Sequence, residues 1–499
     1  MISRTTATTA TDDTTPWGRE DAIALILFAI YWLAFVAASP APMQESLVDD
    51  AYIFQRIVDN LWVAHVWTYN TNELVNPVTA PFYALLLVGA KAFGFMAPTT
   101  IAVVYLVGLL ALGFGVYGGL RHRGRAVALT MAILISSAHI PVESWGMETS
   151  VFLACLVLSS LAYVRGMYIC SGVLCAFAAL SRPEGFALVG ILVGLHFIEA
   201  RVILWRLILT FLMLVTPWLI YSYLTFGHLL PNSVAVKAVQ HNIGWFKTQP
   251  SWLVYFLSQP KLLWITYPLA LLGFYDAIHQ VSYQSRFVLL LVAFGLLQVA
   301  AYSLMNAPVG YFWYMAPGNL ALDMLIVFGA FKAFGWVSDR MAWVQRRIPM
   351  QDRRLILSSA MVLLSVSKLG MSPMKLIKPY RLGEEYRQAG EWINSHTPRD
   401  NVVAAAEIGY LGFYSQRQIR DIHGLIHPNA LPFLKMEEWD WWFKSDTPEV
   451  IVTHLPPWAG EPFGGGWSPR SILDFQDHYI RTAVFGEVQI YQQVLATAE

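Results

Sequence analysis

Twelve apolar runs punctuate this chain, near residues 22–38, 82–96, 100–120, 126–140, 150–164, 168–180, 185–198, 203–225, 262–280, 286–304, 317–335 and 355–370. A backbone inside a bilayer must satisfy its own hydrogen bonds, so such a series predicts a bundle of membrane helices. Only 13% of the 499 residues are charged and 56% are hydrophobic, with a mean hydropathy of +0.48. Soluble proteins carry about 25% charged residues. The expectation is a polytopic α-helical membrane protein. A formal net charge of zero gives no sign of a nucleic-acid partner. Cys155, Cys170 and Cys175 lie inside apolar runs and read as free thiols, not as a disulfide framework or zinc site. Residues 1–21 form a polar head. The small residues of "AASPA" after the first run also suit a cleaved leader, but the long polar lead favours a retained first crossing.

Lysine and arginine concentrate in three short connections, "RHRGR" (121–125), "EARVILWR" (199–206) and "SDRMAWVQRRIPMQDRR" (338–354). The positive-inside bias places all three in the cytoplasm. Alternation puts "PVESWGMETS" (141–150), "SRPEG" (181–185), "FGHLLPNSVAVKAVQHN" (226–242), "NAPVGYFWYM" (306–315) and the C-terminal tail outside. One run breaks the parity. If 22–38 exits and 100–120 re-enters toward "RHRGR", then 82–96, which carries Lys91, stays in the outer leaflet as an interfacial helix. That leaves about 11 crossings, N-terminus in and C-terminus out.

Beyond residue 371 the pattern becomes that of a soluble module of about 125 residues. Periodicity predicts a helix over about 382–396 and a short helix further on. Strands are expected at "NVVAAA" (401–406), "QIRDI" (418–422), "VIVTH" (450–454) and "VQIYQQV" (488–494). No internal repeat is visible.

The first outer loop carries "SLVDDAYIFQRIVDNL" (46–61). On a helix, Asp49, Tyr52, Arg56 and Asn60 share one stripe, while Asp50, Phe54, Ile57 and Leu61 share another. Two adjacent aspartates at a helix start can serve as caps, or as a reactive pair. The other outer turns add Glu143, Glu148, Arg182, Glu184, Asn232, Lys237, His241, Tyr311, Trp313 and Tyr314. Singly, these read as a cap, a tight turn, a snorkelling lysine and an aromatic belt. Together they place carboxylates, cations and aromatics on one side of one membrane. That suits chemistry on an anionic lipid-linked substrate.

The stretch "VDDAYIFQRIVDNL…TYNTNELVNPVTAPFYALL" resembles the first outer loop of GT-C glycosyltransferases. It is most similar to the bacterial branch of arabinofuranosyltransferases that act on the mycobacterial cell envelope and on pilin. The residues carrying the resemblance are Asp49, Asp50, Tyr52, Arg56, Asn60, Tyr69, Asn70, Glu73, Thr79 and Pro81, with "GMET" (146–149), "SRPEG" and "LPNSVAVK" (230–237) in the same order. "WINSHTPRDNVVAAAEIGYLGFYS" and "DIHGL" resemble the outer C-terminal module of that branch. Two departures stand out: "WVAHVWTYN" lacks the glycines common there, and Asn76 replaces a frequent glycine.

The resemblance implies a GT-C fold with about 11 transmembrane helices, surface-lying helices in the first outer loop and a small periplasmic α/β domain. The corresponding ranges are 1–21 for the cytoplasmic head, 22–375 for the catalytic membrane domain (39–99 being its first outer loop) and 376–499 for the soluble domain. It implies a glycosyltransferase at the outer face of a bacterial inner membrane. The donor would be a polyprenyl-phosphate sugar, D-arabinofuranose in that branch, and the acceptor a glycan or a protein such as pilin. Inversion would proceed with Asp49 as general base and Asp50 as its partner or as a metal ligand. Lys237 and Arg182, with His241 as a weaker candidate, would meet the leaving phosphate. Tyr311 and Tyr314 would pack on sugar or prenyl chain, and Tyr52, Arg56, Tyr69, Asn70, Glu184 and Asn232 would complete substrate binding. Glu148 would join Asp49 and Asp50 if a divalent cation (Mg²⁺, Mn²⁺ or Ca²⁺) takes part. The rival readings are a transporter or lipid flippase, whose charges would sit at mid-membrane, and a non-catalytic scaffold.

Overall fold

The computed structural model describes residues 16–37, 46–137, 144–240, 252–254, 263–279, 283–305, 311–341, 349, 356–357, 380–445 and 447–494. Helix α1 (Arg19–Ala37) leads into a loop bearing α2 (Asp49–Ala64) and α3 (Pro81–Ala92). Then come α4 (Thr99–Leu120), α5 (Arg125–Ser136), α6 (Thr149–Val164), α7 (Tyr168–Ser181), α8 (Gly185–Ala200) and α9 (Trp205–Phe226). A short α10 (Asn232–Gln240) precedes α11 (Leu263–His279), α12 (Tyr283–Leu304) and α13 (Ala316–Ser338). Among the described residues, Thr99–Arg123, Trp205–Phe226, Arg286–Leu304 and Trp313–Ser338 are long and apolar enough to cross a membrane. The crossing expected at 355–370 lies outside the described residues except for 356–357.

The two ends of the bundle carry different charges. At one, Asp21 of α1 meets Arg121 (3.2 Å) and Arg125 (3.3 Å), while Asp276 of α11 meets Arg123 (3.1 Å) and Lys332 of α13 (3.0 Å). α1 begins here and α4 ends here, so the chain between them starts and finishes at the opposite end. Helix α3 has 12 residues, about 18 Å at 1.5 Å per residue, against a hydrocarbon core of about 30 Å. Its Lys91 pairs with Asp59 of α2, and its Phe82 stacks on Phe177 of α7 at 4.1 Å. The structure thus places α3 within the loop that starts and finishes at that end of the bundle.

Helices α11 and α13 approach through glycine. A β-carbon on Gly273 would fall 2.0 Å from the Leu325 carbonyl oxygen, and one on Gly329 would fall 1.8 Å from that of Leu269. In lipid, where apolar burial between helices gains little, such close backbone contact supplies the packing energy.

The C-terminal module contains α14 (Gly383–His396), β1 (Val402–Ala405), α15 (Gly409–Ser415), β2 (Gln418–Asp421), α16 (Ala430–Lys435), α17 (Trp441–Ser445), β3 (Val450–His454), α18 (Pro469–His478), β4 (Tyr479–Phe485) and β5 (Val488–Gln493). The sheet order is β2-β1-β3-β5-β4. β1 is parallel to β2 (Val402 opposite Gln418) and to β3 (Val403 opposite Val450). β5 is antiparallel to β3 and to β4. Strand β4 escapes the sequence reading because it is an edge strand whose central residues face solvent. Helix α14 buries Tyr386, Ala389 and Ile393, a helical stripe against the sheet.

Candidate active site

Helix α2 is the joint between membrane bundle and C-terminal module. Asp49 is buried, and its two oxygens accept from the backbone N–H groups of Gly409 (2.7 Å) and Tyr410 (2.8 Å). These are unpaired donors of the first turn of α15, where the helix dipole also favours a carboxylate. One turn on, the Tyr52 ring packs on Tyr410, Phe413 and Tyr414 at 4.4, 5.1 and 5.6 Å. Arg56 donates to the carbonyls of Gly412 (2.5 Å), Arg417 (2.6 Å) and Tyr69 (3.0 Å), and its guanidinium lies over the Tyr69 ring. Tyr69 donates to the Ile408 carbonyl (2.5 Å), and Asn70 brackets the Ile419 backbone on β2 from both sides. Asn60 donates to the carbonyls of Thr68 and Tyr69. Asn232 donates to Gly424, Leu425 and His427. Two glycines let α15 come this close: a β-carbon on Gly409 would lie 1.8 Å from the Asp49 carbonyl oxygen, and one on Gly412 would lie 1.7 Å from the Tyr69 hydroxyl.

Asp50, one residue along the same helix, takes the other direction. It lines a cavity of ≈ 390 Å³ with Glu148, Arg182, Glu184, Lys237 and Tyr314. The cavity wall continues down one face of α12 through Tyr302, Gln298 and Phe294. Arg182 is buried and holds Glu148 at 2.8 Å and Glu184 at 3.0 Å. Tyr302 donates to Glu184 and stacks on Tyr314 at 5.0 Å. The Lys237 ammonium donates to the Tyr314 hydroxyl (3.3 Å) and sits 4.3 Å over the Tyr311 ring.

Burial pushes the Asp50 carboxyl above its ordinary range, and the Lys237 ammonium pulls it partly back. Burial also raises Glu148 against the opposing charge of Arg182. Burial would lower Lys237, but Tyr314, Tyr311 and Asp50 outweigh it and keep the ammonium charged. Burial would likewise lower Arg182 and raise Glu184; their mutual attraction reverses both. Asp49 is pushed up to about 6 by burial, opposed by the Tyr410 and Gly409 N–H groups and by Glu407. Glu407 is held well above the carboxylate range by burial and by the Asp49 charge, with which it shares a side-chain hydrogen bond.

The structure thus gathers Asp50, Glu148, Arg182, Glu184, Lys237 and Tyr314 at one cavity, with Tyr311 beside Lys237. It does not bring Asp49, Tyr52, Arg56, Tyr69, Asn70 or Asn232 to the lining. Tyr52 and Arg56, expected to complete substrate binding, instead latch the C-terminal module. An Asp49 carboxylate that already holds two backbone donors and faces α15 is not placed to take a substrate proton. His241 and Glu143 lie outside the described residues. Asn76 is a loop tie, bonded to Ser222 and to its own turn at Val78, and not a pocket residue. Sequence reasoning missed Glu407, Tyr302, Ser233 and Gln298. The last was visible as the single amide in the apolar stretch 287–301. Among the described residues no group of three or more His, Cys, Asp or Glu is arranged to hold a metal ion. With Asp49 turned away and cations beside Asp50 and Glu148, the expected metal set does not fit this geometry.

No curated protein sequence matches the chain. Residues 378–496 match a family described as a domain of unknown function, DUF8728. The whole chain is similar in structure to ArnT from Cupriavidus metallidurans bound to undecaprenyl phosphate, with a TM-score of 0.62 and 13% identity over 96% of this chain and 98% of that one. The apo state of ArnT gives 0.61 and 14% over 95% and 98%. The chain has the GT-C fold. The mycobacterial arabinofuranosyltransferase AftD is also similar, with a TM-score of 0.50 and 12% identity over 98% of this chain. The match spans 41% of the AftD chain. The likenesses imply a polytopic helical membrane protein, to which this chain adds its small C-terminal sheet domain.

Proposed function

We propose that the protein is a glycosyltransferase that moves a sugar from a polyprenyl-phosphate donor to a hydroxyl acceptor. The observation that carries this is the cavity in which the Asp50 carboxylate feels the Lys237 ammonium and shares the lining with a second buried cation, Arg182. The undecaprenyl phosphate bound by ArnT supports the donor class. The likeness to AftD supports D-arabinofuranose as the sugar. The acceptor is a glycan or a protein such as pilin, on the reading of the first-loop motif. By the positive-inside bias, the end holding Arg121, Arg123 and Arg125 faces the cytoplasm and the cavity faces the periplasm of a bacterial inner membrane.

The acceptor oxygen attacks the anomeric carbon as the bond to the phosphate oxygen breaks, with inversion. Asp50 takes the acceptor proton; its raised affinity for protons suits a base working near neutrality. Lys237 meets the charge that grows on the departing lipid phosphate, and Arg182 holds Glu148 and Glu184 in place around it. The base role passes from Asp49 to Asp50, and no step is routed through a metal. Asp49 belongs to the latch between domains. Single-turnover transfer in detergent from undecaprenyl-phosphate arabinofuranose tests this. Asp50→Asn is expected to stop transfer while lipid binding persists. Full activity of that variant would remove Asp50 from the chemistry.

A further inference from the structure

Three residues on the cavity lining present buried polar atoms with no protein partner among the described residues: Oε2 of Glu148, Oγ of Ser233, and both amide atoms of Gln298. Gln298 is the most informative. Between Phe287 and Ala301, α12 holds no other side chain able to form a hydrogen bond of this kind. A polar side chain in a membrane-crossing helix is costly and is usually directed at a partner or a substrate path. Here it is 5% exposed. It shares a face with Phe294, Ala301, Tyr302 and Met305, all of which line the cavity. The amide is therefore aimed into the cavity about one helical turn, roughly 6 Å, below Tyr302. The cations lie at the Tyr302 level, since Tyr302 donates to Glu184, which Arg182 holds.

We infer that Gln298 reads the donor sugar, its N–H and C=O engaging two neighbouring hydroxyls, with Ser233 and Glu148 meeting the remaining ones. The inference rests on the donor class proposed above. A phosphate would satisfy only the N–H half of the amide and leave its carbonyl unpaired. A prenyl chain would satisfy neither. A sugar diol offers a donor and an acceptor side by side, which is what an amide presents. Leaving such an amide without a partner carries a penalty, so a ligand lacking the diol is selected against.

The test compares binding of bare undecaprenyl phosphate with binding of its arabinofuranosyl, mannosyl and glucosyl esters by the purified full-length protein. The wild type is expected to hold at least one ester about tenfold or more above the bare lipid. Gln298→Leu keeps the volume and removes both polar atoms. It is expected to erase that preference, leave affinity for the bare lipid unchanged and melt no lower than the wild type. Gln298→Glu, which keeps only the acceptor half, should retain part of the preference. The inference is overturned if Gln298→Leu keeps the preference, if it loses both ligands equally, if its melting temperature falls, or if the wild type shows no preference. A wild type that binds neither bare lipid nor ester overturns the proposed donor class itself.

Discussion

Asp49 and Asp50 are adjacent, yet a helical step of about 100° separates what they do. One carboxylate caps a helix of the C-terminal module and the other faces the cavity. Asp50→Asn should lower single-turnover transfer by about 10²-fold or more, because the amide cannot accept the proton. Asp49→Asn should act differently. Its amide would set a donor against the N–H groups of Gly409 or Tyr410, weakening the latch by roughly 1.5–3 kcal/mol for a lost charge-assisted bond. Thermal melting and proteolysis at the module boundary would register that loss; an unchanged melt with dead chemistry would return the base role to Asp49. Lys237→Met should both weaken donor binding and slow transfer, together by about 2–4 kcal/mol, as for removal of one preorganised charge donor. Lys237→Arg keeps the charge and should recover part of the activity. Wild-type affinity and rate in Lys237→Met would place the phosphate elsewhere.

At the scale of elements, α2 and α15 make one contact surface from a carboxylate, an arginine and two glycines. Gly409→Ala puts a methyl into the Asp49 backbone, which has no freedom to move aside. It should separate the helices and raise hydrogen exchange across Gly409–Ser415, with protection unchanged in β3 if the sheet itself persists. The same interface is pH-sensitive. Burial and the neighbouring Asp49 raise Glu407, and burial raises Asp49 to about 6. Docked, the pair binds protons that free carboxyls have already released. Its stabilisation is therefore complete below the ordinary carboxylate range and is lost as pH rises through about 6 and then through the higher value of Glu407. Hydrogen exchange of α15 should quicken as pH rises through about 6 and continue to quicken above it as Glu407 ionises. Glu407→Gln keeps a donor for Asp49 that does not titrate, and the profile should flatten; a steep profile in that variant would assign the pH dependence to another group.

For the whole molecule, parity of crossings decides where the cavity faces. Exposed positions on either side of α3, Thr71 and Met96, should both react with a membrane-impermeant thiol reagent from outside when each is replaced by Cys in a chain freed of Cys155, Cys170 and Cys175. Labelling of the Met96→Cys chain from the cytoplasm alone would show that α3 crosses. The C-terminal module grips the very helix that carries Asp50. Its removal should expose the Asp49 face and disorder α2, abolishing transfer even though no module residue lines the cavity.

The helices of the bundle, the separate short helix at the start of the 82–96 run and the strands β1, β2, β3 and β5 were legible in the sequence, because hydropathy and periodicity are local quantities. The edge strand β4 was not, since its exposed residues carry no burial pattern. The first-loop motif was legible as important, with Asp49 as the expected base and Tyr52, Arg56, Tyr69 and Asn70 as expected substrate contacts. Their partners lie on α15 and β2, 339 to 362 residues further along the chain. No spacing rule within one helix reveals such partners. Gln298 was likewise visible as an amide in an apolar run, but not its direction. The sequence by itself determined which segments are apolar helices and where the charged turns fall between them. Only the tertiary structure decided which aspartate lines the cavity, because that depends on which face of α2 the distant module covers and which it leaves open.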